Sequence, residues 1–323
     1  MLAGNGPMAA RQLRRNMAQC LVETRDFSCD HCHGLGAHTE PGQGKAVAEL
    51  CPTLKGCAVC KGSGYRYVED ADGYRVAKPC ELAGIRRRIE LFNHAGLPSR
   101  CHDALLARYK PESDAQAAAK QRVETMWKHL QNNLEPNGKV PPGTRGIGLW
   151  GPPGVGKTHL LTALARRLLL DLGMQVKYTD FSGLLWDLKA GFGTGRGEDQ
   201  LIAPLVEVDV LFVDELGKGR ASEWEISVLD AIVCGRYDRK KLTFCATNYA
   251  VGQADRGVVS YNSARDLLAR KDDATRGESL EDRVSDRVAS RLYDLCDWQA
   301  VDGPDARRQG AQTRAPVAIR GRG

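Results

Sequence analysis

The chain has 323 residues, a hydrophobic fraction of 42% and a formal net charge of +6. That is enough apolar content for one large domain plus a small one, and no run approaches the roughly 18 apolar residues that a membrane span needs. Arg11, Arg14 and Arg15 are not followed by an apolar stretch, so no secretory signal is expected and a cytoplasmic location without membrane partners is.

Charge and cysteine are both unevenly spread. Residues 1–110 hold 16 Lys/Arg against 11 Asp/Glu, and residues 304–323 hold five Arg against one Asp, around an acidic middle. Basic ends suit nucleic acid and equally suit solvating tails around a folded engine. Eight of the eleven cysteines lie at or before Cys101, whereas Cys234, Cys245 and Cys296 stand alone. Lone core thiols suit a reducing compartment, so the clustered ones read as metal ligands rather than disulfides.

Residues 1–24 read as a flexible leader broken by Gly4, Gly6 and Pro7, and residues 25–83 as a small Cys/Gly-rich domain. Within it, Cys29-Asp-His-Cys32-His-Gly34-Leu-Gly36 and Cys57-Ala-Val-Cys60-Lys-Gly62-Ser-Gly64 are two copies of C-x-x-C-x-G-x-G. Two residues between cysteines let both thiolates reach one metal from a tight knuckle, and two knuckles complete a tetrahedral sulfur shell. Cys29, Cys32, Cys57 and Cys60 are therefore expected to hold a structural Zn²⁺, with redox cycling of a C-x-x-C pair as the alternative. Cys51, Cys80, His31 and His33 leave the ligand set open, and a hairpin is expected at Asp72-Gly73.

From Gly84 the pattern changes to helix, with Ile85, Ile89 and Phe92 at helical spacing and a stop near Gly96–Pro98. A second helix is expected from Asp114 to Leu134, and the two make residues 84–145 a helical linker that ends in the Pro/Gly-rich loop from Pro136 to Gly146. Strand and helix then alternate: Ile147–Trp150, Lys157–Leu172, Val176–Thr179, Phe181–Lys189, Val208–Val213, Trp224–Arg236 and Leu242–Ala246. Such alternation predicts an α/β domain over 146–308, a parallel sheet covered by helices on both faces, followed by a basic disordered tail over 309–323.

Four motifs in this domain point to phosphoryl chemistry. Gly151, Pro152, Pro153, Gly154, Val155, Gly156, Lys157 and Thr158 fit G-x-x-x-x-G-K-[ST] between a strand and a helix. Their backbone N–H groups and the helix start are expected to cradle phosphates together with His159, while Lys157 neutralises them and Thr158 ligates Mg²⁺. The apolar strand before Asp214-Glu215 delivers two carboxylates, Asp214 for Mg²⁺ and Glu215 to polarise the attacking water. Asn248, ending the next strand, is positioned to touch the γ-phosphate or the water, or else merely caps a turn. Arg283, Arg287 and Arg291, spaced by four, are expected on one face of a helix whose other face carries Leu280, Val284, Val288 and Leu292. Such a ladder is either a solvated face paired with Asp282, Asp286 and Asp294 or the source of an arginine finger acting across a subunit boundary.

The stretch Arg86-Arg-Arg-Ile-Glu-Leu-Phe-Asn93 with Gly96-Leu-Pro-Ser99, the loop from Gly151 to Leu160, Val210-Leu-Phe-Val-Asp-Glu-Leu-Gly217 and Gly235-Arg236-Tyr237 resemble the DnaC/DnaI/IstB group of AAA+ ATPases. The resemblance runs from about Arg86 to Arg307. It implies an AAA+ P-loop core, a replicative DNA helicase as partner, single-stranded DNA binding and self-association through a trans arginine finger. It also implies Arg291 as that finger, with Arg287 second and Arg307 as a phosphate or interface sensor. With 16 residues after Arg307, no C-terminal helical lid is expected. DnaI-type loaders carry an amino-terminal zinc module that docks on the helicase, the analogy for Cys29 to Cys60. The functional expectation is an Mg²⁺-dependent ATPase that loads the helicase; the alternatives are an IstB-like transposition helper on duplex DNA, and a zinc-ribbon interaction protein that binds ATP with little turnover.

Overall fold

The structure is a computed structural model, and it describes residues 36–51, 65–79, 81–135, 138–192, 198–252 and 279–306. Five parallel strands form the central sheet: β5 (Gly146–Trp150), β6 (Val176–Asp180), β7 (Val210–Asp214), β8 (Leu242–Thr247) and β9 (Cys296–Ala300), in the order β6-β7-β8-β5-β9. Side chains alternate across it as the pleat requires. Val210 and Phe212 point to one face and Leu211 and Val213 to the other, and each set joins a separate apolar cluster. Phe212 stacks on Phe244 at 4.6 Å and on Tyr178 at 5.9 Å, which ties β6, β7 and β8 together on the first face.

That face is covered by α1 (Glu81–Ala95), α2 (Asp114–Asn133) and α3 (Lys157–Leu170). The opposite face carries α4 (Phe181–Phe192), α5 (Glu198–Glu207), α6 (Glu223–Asp238), the single turn α7 (Leu280–Arg283) and α8 (Asp286–Leu295). The expected two-sided α/β architecture is thus present. The helix α5, which contains Pro204, was not expected from the sequence.

The two helices expected as a linker contribute to the core. Phe92 and Ala95 of α1, and Val123, Trp127 and Leu130 of α2, are buried in the same cluster as Leu164 and Leu168 of α3. Arg167 of α3 lies 3.8 Å over the Trp127 ring, a cation–π contact across that seam. Ser113 caps α2 by accepting from the Gln116 amide.

Two hairpins precede these helices: β1 (Ala37–Pro41) with β2 (Ala46–Leu50), and β3 (Tyr65–Glu69) with β4 (Arg75–Pro79). The second turns at Asp70–Tyr74, where Gly73 takes φ +82° and Asp70 accepts from the Asp72 and Tyr74 amides, at the expected place. The first hairpin is fastened to α1, because the Asn93 amide accepts from Ala48 N (2.6 Å) and donates to Ala48 O (3.1 Å). Ala37, Ala46 and Ala48 enter the main apolar cluster with α1. Cys51, just after β2, is 1% exposed. Cys29, Cys32, Cys57, Cys60, Cys80, His31 and His33 lie outside the described residues, and no cluster of metal-binding side chains occurs among the described ones. No described helix is long and apolar enough to cross a membrane.

Candidate nucleotide site

The carboxyl ends of parallel strands are where open α/β sheets collect ligands, and here the ends of β5, β7 and β8 meet in one cleft of about 290 Å³. Pro153, Gly154, Gly156, Lys157, Thr158 and His159 line one side; Asp214, Glu215 and Asn248 line the other. The loop after β5 needs its glycines. Gly156 has φ +96°, and a Cβ there would meet the Tyr109 ring at 2.4 Å. Gly154 has φ +89° and faces the Asp305 carboxylate at a distance no side chain fits.

Lys157 begins α3 and is 7% exposed. Its ammonium donates to the carbonyls of Gly151 (2.6 Å) and Pro152 (2.8 Å), so the charge is held inside the loop. Asp214 is 3% exposed and accepts from three neutral donors: Thr158 Oγ1 at 2.8 Å, Tyr178 Oη at 2.9 Å and the Glu215 amide at 3.0 Å. Among the described residues no Lys or Arg forms an ion pair with it. A buried carboxylate beside a threonine hydroxyl without a cation is the donor set that a hard divalent ion takes. A strand-to-helix loop of free amides beside a lysine is the donor set that phosphate takes. The residues present therefore fit Mg²⁺ and a nucleotide triphosphate.

Tyr178 was not anticipated from the sequence. It sits in β6, the strand next to Asp214, and is 3% exposed. Burial, reinforced by the Asp214 carboxylate, pushes its hydroxyl pKa well above the usual phenol range, so it remains a donor. Glu215 stands at φ +53°, a left-handed conformation uncommon for a non-glycine residue and frequent at functional sites. Its carboxylate is held 2.6 Å from the Lys218 ammonium.

A third side of the cleft comes from the segment between α1 and α2, which also carries Arg100 and Cys101 to its rim. Tyr109 donates to Val155 O at 2.8 Å, and burial pushes its hydroxyl up to about 12. His159 reaches Leu105 O at 3.0 Å through Nε2 and packs on the Tyr109 ring at 5.7 Å. Its ring thus faces this segment.

The arginine ladder departs from expectation. A single helix does not carry it: Val284 is extended at φ −121°, ψ 178°, and Ser285 starts a new helix by capping the Val288 amide. The serine offers its hydroxyl to the backbone more favourably as a cap than inside a helix. Arg283 therefore turns away from its two companions, donating to the carbonyls of Gly217 and Gly219 and stacking 5.2 Å from the Tyr249 ring. Arg287 pairs with Asp230 at 3.4 Å, and Arg291 lies 5.5 Å over Tyr237. None of the three lines its own chain's cleft. Arg307 lies outside the described residues.

Gly235-Arg236-Tyr237 has a structural reading. Arg236 is fully buried and donates to the carbonyls of Leu205, Val206, Val208, Asp209 and Leu242 and to the Thr243 hydroxyl. It closes the turn that leads α5 into β7 and so sets the strand that carries Asp214.

The profile of the IstB-like ATP binding protein family matches residues 143–278. The replicative helicase loader DnaC of Escherichia coli K12 is 27% identical over 158 residues, 49% of this chain and 60% of that protein. The phage-like element PBSX protein XkdC of Bacillus subtilis 168 is 36% identical over 155 residues, 46% of this chain and 47% of that protein. The chain thus spans about 60% of the DnaC relative and about half of XkdC. A crystal structure of the DnaC helicase loader superposes with a TM-score of 0.48 at 24% identity, covering 63% of this chain and 99% of that one. For the crystal structure of DnaI the values are 0.44, 20%, 64% and 93%. Residues 143–278 are thus similar to the IstB-like ATP binding protein family.

Proposed function

We propose that this protein binds and hydrolyses Mg²⁺-ATP and uses that cycle to load a replicative DNA helicase onto single-stranded DNA. The observation that carries the ATPase reading is the convergence of Lys157, Thr158, Asp214, Glu215 and Asn248 on one cleft. Bound ATP·Mg²⁺ supplies the reactive phosphoanhydride and the divalent charge. The loop amides and Lys157 hold the phosphates, Thr158 and Asp214 hold the metal, and Asp214 is kept in place by Tyr178. Glu215 orients and polarises the attacking water, and Asn248 fixes the water or the terminal phosphate. Arg291 is assigned to a neighbouring subunit's site, with Arg287 as the alternative.

The loader reading rests on the DnaC relatives, and the zinc reading on the repeated motif of Cys29, Cys32, Cys57 and Cys60. In this reading the zinc module grips the helicase in the cytoplasm while nucleotide state governs the hold on single-stranded DNA. The IstB-like match favours a second reading, a transposition helper acting on duplex DNA. Full-length protein mixed with the hexameric helicase of its own cell and circular single-stranded DNA separates the two. ATP-dependent transfer of the helicase to the circle is expected. No transfer, with hydrolysis stimulated by duplex DNA and a transposase, would establish the second reading instead.

A further inference from the structure

Arg100 is a cationic side chain on the rim of the cleft that neither the loop motif nor the strand-end carboxylates account for. It occupies the middle of a short 3-10 turn, Ser99–Cys101. It is exposed, and among the described residues no carboxylate pairs with it. Its guanidinium lies beside the neutral Cys101 thiol, which burial pushes to a higher pKa. Arg100 and Cys101 line the cleft together with Thr158, Asp214 and Glu215, and the chain then meets His159 at Leu105 and Val155 at Tyr109. Arg100 therefore shares one cleft with the residues assigned to the metal and the terminal phosphate.

Both flanks of the turn are fastened to the β1–β2 hairpin. Ala46 N donates to Leu97 O at 2.8 Å, and Lys45 bridges Pro98. Ser99 Oγ donates to Gly42 O at 2.9 Å, and Thr39 Oγ1 donates to His102 O at 2.7 Å. The hairpin lies in sequence between the two cysteine knuckles, Cys29/Cys32 and Cys57/Cys60. These contacts tie the turn directly to the backbone of the hairpin.

We infer that Arg100 binds the terminal phosphate of ATP from within its own chain, and that its turn conveys the presence of that phosphate to the β1–β2 hairpin. A planar guanidinium without a carboxylate partner, at the edge of a phosphate cradle, matches phosphate oxygens in geometry and charge. This rests on the reading of the cleft as an ATP site.

The test is equilibrium binding of fluorescent ADP and of a fluorescent non-hydrolysable ATP analogue to full-length protein with Mg²⁺. Arg100→Ala is expected to weaken the ATP analogue by about 10-fold or more, as loss of a charge-assisted hydrogen bond does, and ADP by less than about threefold, with Arg100→Lys in between. Equal effects on both nucleotides, or none, would overturn the phosphate assignment. Hydrogen exchange over residues 37–50 tests the relay: the ATP analogue should protect the hairpin more than ADP in the wild type and not in Arg100→Ala. Equal protection by both ligands in the wild type would overturn it. A wild-type chain that binds neither nucleotide would instead overturn the underlying reading, and the inference with it.

Discussion

Tyr178 donates its hydroxyl proton to Oδ2 of Asp214, the same oxygen that receives the Thr158 hydroxyl. Two strands and one helix thereby fix a single carboxylate oxygen. Removing the Tyr178 hydroxyl leaves the carboxylate buried with one donor fewer, and such a loss costs about 1 kcal/mol. Tyr178→Phe should weaken Mn²⁺ binding in the presence of nucleotide about five-fold, read by electron paramagnetic resonance. Nucleotide binding in EDTA should not change. Equal loss in both measurements would mean that Tyr178 supports the fold of the cleft and not the metal position.

Glu215 and Lys218 form a pair whose disruption from either side should give opposite results. Glu215→Gln should retain ATP binding and lose hydrolysis by about 100-fold or more, the usual scale for a positioned acid–base group. Lys218→Ala frees the carboxylate from an ammonium 2.6 Å away and should raise the steady-state rate at saturating ATP. A fall in rate on Lys218→Ala would show that the lysine positions Glu215 for reaction.

Arg236 should tolerate no substitution. It serves five carbonyls and a hydroxyl from a fully buried position, and burial lowers its pKa to about 10 without removing its charge at neutral pH. Arg236→Met strands those carbonyls in the interior, at a cost of about 3 kcal/mol or more. Arg236→Lys should cost nearly as much, since one ammonium does not span the fork. Urea denaturation should show a lower midpoint for both variants with the slope retained.

What the sequence disclosed follows from how local each signal is. Gly151 to Thr158 and Val210 to Glu215 are contiguous, and each owes its form to one strand end, so pattern alone places them. Tyr178 and Arg100 were hidden because their roles depend on which strand neighbours β7 and on where the chain between α1 and α2 lies against α3. Neither is encoded by local spacing. The spacing of Arg283, Arg287 and Arg291 suggested one continuous helix, yet Ser285 stops it, because a serine cap competes with helix continuation. The helices α1 and α2 read as a linker because their polar faces dominate; tertiary burial of Phe92 and Trp127 makes them core.

Chelation should separate the two halves of the chain. If Cys29, Cys32, Cys57 and Cys60 hold Zn²⁺, purified protein should contain one equivalent by elemental analysis, released when a mercurial binds the four thiolates in the metal's place. Removing it should abolish helicase association while ATP binding by the 146–308 core is retained. A metal-free preparation that still binds the helicase would remove the zinc module from the mechanism.

The arginines differ in which partner they already serve, and that makes the trans assignment testable by mixing. Arg283 holds the carbonyls of Gly217 and Gly219 in the loop just after Glu215, so Arg283→Ala should impair hydrolysis within its own chain. Arg291→Ala leaves the cleft's own residues intact, and on the trans assignment the site it should disable is the neighbour's. Lys157→Ala disables its own cleft and keeps Arg291. Neither Arg291→Ala nor Lys157→Ala protein alone should hydrolyse ATP appreciably, but in a mixture an Arg291→Ala cleft can sit against the Arg291 of a Lys157→Ala subunit. Activity in the mixture above the sum of its parts is therefore expected. Mixtures of Arg283→Ala with Lys157→Ala should show no such gain, because the damaged loop and the damaged cradle each disable their own cleft. If Arg287→Ala complements and Arg291→Ala retains full activity alone, the finger is Arg287, released from Asp230 when subunits meet. If no pair complements, hydrolysis is completed within one chain, and among the described residues Arg100 is the candidate cation.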